Sequence, residues 1–158
     1  MPATELQATI DTLNAKKYAR VSVRSEPNPT ELTEAEKLLI ETYQPQHTLI
    51  VYGSLAPGRP NHSKVEMIKG VWRQGTVSGK LVSQGWGADL GFNGFVPDGG
   101  TGQIHIPVHV LFSDELADYL SFLDEFEGDG YQRILSSFTL ENGDIGVGNI
   151  YALNESFV

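Results

Sequence analysis

The first 20 residues carry apolar positions at helical spacing. Leu6, Ile10 and Leu13 recur at intervals of four and three residues, which places them on one face of a helix. Thr4 and Gln7 have the spacing of a capping box, in which each side chain bonds the other residue's backbone N–H. The pattern therefore predicts an amphipathic helix that begins after Thr4 and buries one apolar stripe.

A second helix is predicted before residue 45. Thr33 and Glu36 again have capping-box spacing, and the helical sequence EAEKLLIETY follows Thr33 directly. Between the two helices, the segment SEPNPTE at 25–31 contains two prolines, which break regular structure and predict a linker. We interpret residues 1–45 as an N-terminal helical extension.

From residue 46 onward the pattern changes to short runs rich in β-branched and aromatic residues. The Asn-Gly pair at 142–143 predicts a hairpin turn between the last two runs. Helices followed by strands predict an α+β protein, with residues 46–158 as the main domain. The predicted strands are 48–52, 72–82, 106–112, 133–141 and 146–153.

A carboxylate lies on an otherwise apolar helical stripe near residue 127. Ser113 can cap a helix in which Leu116, Leu120 and Leu123 share one face. Glu127 follows on the same stripe, about 20° from Leu116, and Gly128 ends the helix. The spacing thus predicts that the carboxylate of Glu127 points inward, where an unpaired charge is costly.

Two interpretations of Glu127 compete. In one, the carboxylate pairs with a buried partner such as Arg133 or turns toward solvent at the helix end. In the other, it lines a pocket and takes a proton, with its pKa changed by partial burial. The neighbouring Asp124 and Glu125 fall off the leucine stripe and are predicted to face solvent.

The strand at 48–52 runs into a constrained loop, GSLAPGRPNH at 53–62. Successive backbone N–H groups in such a loop can form a concave site for a carboxylate or an oxyanion, although an ordinary strand-ending turn has the same composition. The loop lacks the Walker pattern, and Ser54 lacks the frame of a nucleophile elbow.

Taken together, these segments resemble one family. VYGSL at 51–55, PNH at 60–62, LDEFEG at 123–128, the Y-x-R at 131–133 and GNIYAL at 148–153 are similar to motifs of the γ-glutamylcyclotransferase-like family. The nearest branch is the γ-glutamylamine cyclotransferase or AIG2-like group. The resemblance implies a small mixed β-barrel with flanking helices, to which the N-terminal extension is added.

The resemblance also implies a chemistry that needs no cofactor. Members of the family release 5-oxoproline from a γ-glutamyl amine or peptide, as the substrate's own α-amine attacks its γ-carbonyl. The resemblance assigns Glu127 as general acid and base. A non-catalytic module of the same fold, binding a small carboxylate metabolite or a protein partner, is the alternative. The residues that the resemblance assigns to substrate binding are Tyr52, Gly53, Ser54, Leu55 and Tyr131.

Composition adds mainly exclusions. A formal charge of −9 and the absence of a basic patch disfavour nucleic-acid binding. The chain shows neither a long apolar stretch nor a signal sequence, so a cytoplasmic protein without membrane contact is predicted. Without cysteine, thiolate sites are excluded, and His105 and His109 lack a third ligand, so no metal site is expected. The pattern does not predict an oligomeric state.

Overall fold

The fold is taken from a computed structural model, which describes residues 3–21, 32–52, 62–82, 94–98, 102, 104–128 and 130–153. Its helices are α1 (Ala3–Ala15), α2 (Tyr18–Val21), α3 (Glu34–Tyr43) and α4 (Leu120–Glu127). Its strands are β1 (Thr48–Val51), β2 (Val71–Val82), β3 (Gly94–Pro97), β4 (His105–Phe112), β5 (Tyr131–Leu140) and β6 (Ile145–Leu153). The protein is thus α+β, as predicted.

Five of these strands close into a barrel. Neighbouring pairs follow the order β1–β4–β2–β5–β6, and a parallel pairing of β6 with β1 completes the ring. The other four pairings are antiparallel. Strand β3 pairs with two of these strands, antiparallel with β2 and parallel with β6. This mixed barrel with flanking helices has the architecture that the resemblance implies.

The barrel is filled by a cluster to which every strand contributes. Alternate positions of each strand point to this interior, as the period of two residues requires. Outside the barrel, a second cluster joins β1, β4 and β6 to helix α4 and the segment around Val65. The interior cluster contains Ile50, Val77, Phe95, Ile106, Val108, Val110, Phe138, Leu140, Ile150 and Ala152.

The N-terminal helices pack against the outer face of the barrel. Leu6, Ile10 and Leu13 are buried on one face of α1, which confirms the predicted stripe, and they share a cluster with Leu135 and Val147 of the barrel. The side chain of Asn14 also makes two hydrogen bonds with the backbone of Leu135. Asn14 Nδ2 donates to the Leu135 carbonyl, and the Leu135 N–H donates to Asn14 Oδ1, both at 2.9 Å. The extension is therefore part of the packed structure.

A buried ion pair connects helices α1 and α3. Lys16 Nζ lies 2.5 Å from Glu36 Oε1, and the Glu36 side chain is fully buried. Thr33 caps α3, and the reciprocal capping box with Glu36 is present as predicted. Burial alone would raise the pKa of Glu36, but hydrogen bonds from Lys16, the Thr33 N–H and Thr12 lower it to about 2.

Several sequence predictions need correction. The first helix begins at Ala3, so Thr4 lies inside its first turn and does not cap it. Strand β3 was not predicted. Ser113 precedes a 3₁₀ turn at Leu116–Asp118, where its Oγ accepts from the N–H of Glu115 at 3.1 Å, and α4 begins only at Leu120. The predicted linker at 25–31 lies outside the described residues.

Candidate functional site

Helix α4 places Glu127 at its C-terminal end. Leu120 and Leu123 are fully buried against the barrel, and the leucine stripe continues from Leu116 as predicted. Gly128 then ends the helix with φ of 77°, a conformation that glycine adopts without strain, and its N–H donates to the Asp124 carbonyl at 3.1 Å. Glu127 is half-buried at this point of the surface.

The carboxyl group of Glu127 has an unusual proton affinity. Burial raises its pKa from 4.5 to about 7, and the negative charge of Asp124 contributes to the same shift. Both causes disfavour the ionised form. Near neutral pH this group is close to half ionised, so it can both accept and return a proton.

Arg133 does not pair with Glu127. Within the described residues, its guanidinium makes an ion pair with Asp124, with Nε at 2.8 Å from Oδ1 and Nη2 at 3.1 Å from Oδ2. The prediction that Asp124 faces solvent was therefore wrong. Asp124 follows Leu120 by four residues, so it lies on the barrel side of α4. That spacing is the signal that could have identified it.

Tyr52 connects three strands at the edge of the site. Its hydroxyl donates to the Tyr151 carbonyl at 2.6 Å and accepts from the Phe95 N–H at 2.9 Å. Burial raises the pKa of Tyr52, and the charges of Glu127 and Tyr131 add to that shift. Tyr52, Tyr131 and Glu127 thus lie within range of electrostatic interaction.

Three residues of the predicted site belong to the loop that follows Tyr52 in the sequence. Gly53, Ser54 and Leu55 fall outside the described residues, so the predicted anion-binding loop and its distance to Glu127 stay predictions. Tyr52 is the last described residue before that loop, and Tyr131 is a buried residue at the start of β5. In the described ranges no group of three or more His, Asp or Glu residues could hold a metal ion.

Two side chains of the segment that begins at residue 62 contact aromatic rings. The His62 ring lies 5.4 Å from the Trp72 ring, centre to centre. The Lys64 ammonium lies 5.5 Å from the centre of the Phe126 ring. Among the described residues, no helix has the length and apolar character that crossing a membrane requires.

Comparison with known proteins agrees with the fold and the motifs. A sequence profile of the family "Gamma-glutamyl cyclotransferase, AIG2-like" matches residues 49–156. Curated protein sequences give no match. The chain belongs to the γ-glutamyl cyclotransferase, AIG2-like family.

Solved structures show the same fold. YkqA from Bacillus subtilis is 25% identical with a TM-score of 0.54, and the match covers 68% of this chain but only 36% of YkqA. The protein At5g39720.1 from Arabidopsis thaliana is 20% identical with a TM-score of 0.50, covering 71% of this chain and 74% of the plant protein. The chain thus spans about a third of the length of YkqA, and residues 1–48 lie before the family match.

Proposed function

We propose that this protein is a γ-glutamylcyclotransferase-like enzyme that releases 5-oxoproline from a γ-glutamyl amine or peptide. The substrate's α-amino nitrogen attacks its own γ-carbonyl carbon, a C–N bond forms in a five-membered ring, and the bond to the leaving amine breaks. Both reacting groups belong to one substrate, so the protein supplies orientation and proton transfer. Family membership and the motifs around Glu127 support this proposal.

Glu127 is the proposed general acid and base, and its raised pKa is the observation that carries the proposal. The α-ammonium of the substrate must lose a proton before its nitrogen can attack, and the departing amine must gain one. A carboxyl group with a pKa of about 7 suits both steps, because the best catalyst for proton transfer at neutral pH has a pKa near the working pH. Glu127 takes the proton from the α-ammonium and returns it to the leaving nitrogen.

We expect the proposed substrate-binding residues to lie around this carboxylate. The backbone amides of Tyr52, Gly53, Ser54 and Leu55 hold the glutamyl moiety, and Tyr131 borders it. Tyr52 contributes through its backbone, because its hydroxyl already donates one hydrogen bond and accepts another. Residues 46–158 form the proposed catalytic domain, and residues 1–45 form an extension. A cytoplasmic location stays a prediction.

The proposal is tested with a panel of γ-glutamyl amines and γ-glutamyl dipeptides, by measuring 5-oxoproline release. Glu127→Gln should lower kcat by about 10²-fold or more, the scale on which general acid–base catalysis contributes. Glu125→Gln is the matched control, because Glu125 lies on the same helix but is exposed. Release of 5-oxoproline by Glu127→Gln at the wild-type rate would refute the assignment, whereas no release from any substrate would favour a binding module.

The pH dependence gives an independent check. Glu127 acts on the α-ammonium in its ionised form, so kcat/KM should rise with pH through a midpoint near 7, the pKa of Glu127. An acid limb with a midpoint near 4.5, the ordinary value for glutamate, would contradict the proposed role.

A further inference from the structure

Helix α4 is anchored to the barrel by a guanidinium that is almost entirely buried. Arg133 of β5 is 3% exposed, and it binds both carboxylate oxygens of Asp124. Such a two-pronged contact fixes the orientation of the carboxylate as well as its position. The Tyr151 hydroxyl of β6 donates a third hydrogen bond to Asp124, at 2.6 Å. Asp124 is therefore held by two neighbouring strands of the barrel.

The same guanidinium also reaches the N-terminal extension. Arg133 Nη1 donates to the Ala19 carbonyl of α2 at 2.6 Å and to Asn149 Oδ1 at 2.7 Å. Asn149 Nδ2 in turn donates to the Pro45 carbonyl at 2.8 Å. Ala19 and Pro45 lie before the family match at 49–156, so this network joins the extension, the barrel and α4.

Asp124 acts directly on Glu127 through space. It precedes Glu127 by three residues on α4, so the two side chains are neighbours on the helix surface. Its negative charge contributes to the raised pKa of Glu127, and the neighbouring Arg133 opposes that charge. Among the described ionisable groups, Asp124 raises the pKa of Glu127, and the charge of Glu127 in turn raises the pKa values of Tyr52 and Tyr151.

We propose that the Asp124–Arg133 pair positions Glu127 for proton transfer, and that the N-terminal helices complete this support through the Ala19 carbonyl. The inference rests on the proposed role of Glu127 as acid and base. An ion pair that served stability alone needs no place beside the reacting carboxylate, because well-packed apolar residues stabilise a core at least as well. Asp124 and Arg133 are positioning residues, which act on the substrate only through Glu127.

The first test follows the ionisation of Glu127 itself. In the full-length protein, ¹³C NMR of glutamate labelled at the side-chain carboxyl gives its titration midpoint, and the signal is assigned by its absence from Glu127→Gln. Asp124→Asn should lower the midpoint by about half a pH unit or more, because a like charge is removed and Arg133 is left uncompensated. Arg133→Met should raise the midpoint, because the charge of Asp124 is then unopposed.

The double variant Asp124→Asn/Arg133→Met separates position from charge. It leaves no unpaired buried charge, so it should be less destabilised than either single variant, even though the Ala19 carbonyl and Asn149 Oδ1 lose their donor. Its Glu127 midpoint should lie between those of the two single variants. Its kcat should still fall about tenfold or more, with a smaller change in KM, because α4 has lost its anchor and small displacements of a reacting group are costly.

A matched control is available in the same chain. The Lys16–Glu36 pair is also buried, but it joins α1 to α3. The double variant Lys16→Met/Glu36→Gln should therefore leave both the Glu127 midpoint and kcat unchanged. The inference would be overturned if the single variants Asp124→Asn and Arg133→Met moved the Glu127 midpoint in the same direction, or did not move it. Wild-type turnover in the double variant would overturn it as well.

The role of the extension has its own test. Ala19→Leu overfills the buried space around α2 and should displace the Ala19 carbonyl from Arg133, lowering kcat of the folded protein severalfold. Ala15→Leu is the control, because Ala15 is exposed at the end of α1. Wild-type kcat in folded Ala19→Leu would exclude the extension from the network.

Failure of the proposed function and failure of this inference are distinguishable, because the NMR titration needs no turnover. An inactive wild-type protein would refute the proposed function. The titration midpoints of Glu127 would still show whether Asp124 and Arg133 act on its ionisation.

Discussion

Replacing Glu127 by Gln should stabilise the protein, and the gain should depend on pH. The pKa of Glu127 is raised from 4.5 to about 7 in the folded state. Between these values the folded protein holds a proton that the unfolded chain has released. The free energy of unfolding therefore falls as the pH rises through this window, and the loss is complete above pH 7.

The magnitude follows from the size of the shift. A rise from 4.5 to about 7 corresponds to roughly 3 kcal/mol, at about 1.4 kcal/mol for each pH unit. Glu127 is half-buried, and solvent screening reduces that figure, so about 1–2 kcal/mol is expected. A neutral amide at this position avoids the cost. Glu127→Gln should therefore exceed the wild type by about 1–2 kcal/mol at pH 8 and equal it at pH 4.

Urea denaturation at pH 4 and pH 8 measures this difference directly. Glu125→Gln serves as the control, because its exposed side chain should give no pH-dependent gain. Equal slopes of the unfolding free energy against urea would show that the variants unfold to similar states. A Glu127→Gln protein that is less stable than the wild type at pH 8 would refute the reasoning, since it would mean that the charge of Glu127 stabilises the fold.

Two further predictions concern the N-terminal extension. Lys16→Met should lower the unfolding free energy by about 3 kcal/mol at neutral pH, because it leaves the buried carboxylate of Glu36 without its cation. Because the pKa of Glu36 is lowered to about 2, its ionised carboxylate stabilises the fold above pH 4.5, and this stabilisation is lost as the pH falls toward 2. Urea denaturation that shows no loss of stability between pH 4.5 and pH 2 would contradict this. Asn14→Ala should cost about 2 kcal/mol or more, because two backbone groups of Leu135 lose their partners, and Asn14→Asp, which keeps only the acceptor, should cost less.

Much of this fold could be predicted from local patterns. The capping box at Thr33 depends on contacts within one helix, and the spacing of Leu6, Ile10 and Leu13 defines one helical face, so the sequence contains both signals. Five strands were predicted within two residues at either end. Strand β3 was missed because it has only four residues and contains both glycine and proline, which disfavour strands; its pairing with β2 and β6 sets its conformation.

The candidate site was predictable in part. Helical spacing predicts Glu127 on the leucine stripe, and the residue is half-buried, but spacing does not give the partner of Arg133. The prediction placed Asp124 in solvent because it considered only the leucine stripe, although Asp124 follows Leu120 by four residues within α4. That spacing places Asp124 toward the barrel, but the cation that it meets there depends on the tertiary structure, which brings Arg133 of β5 beside it.

The parallel pairing of β1 with β6 has a consequence for how the chain folds. This pairing joins Leu49 to Asn149, which are 100 residues apart, so the ring closes only when both ends of the main domain are in place. The β5–β6 hairpin, in contrast, forms between neighbouring segments. Contacts of such wide separation slow folding, because chain entropy is lost before the pairing is gained. During synthesis, β1 must therefore wait without its parallel neighbour until β6 has left the ribosome.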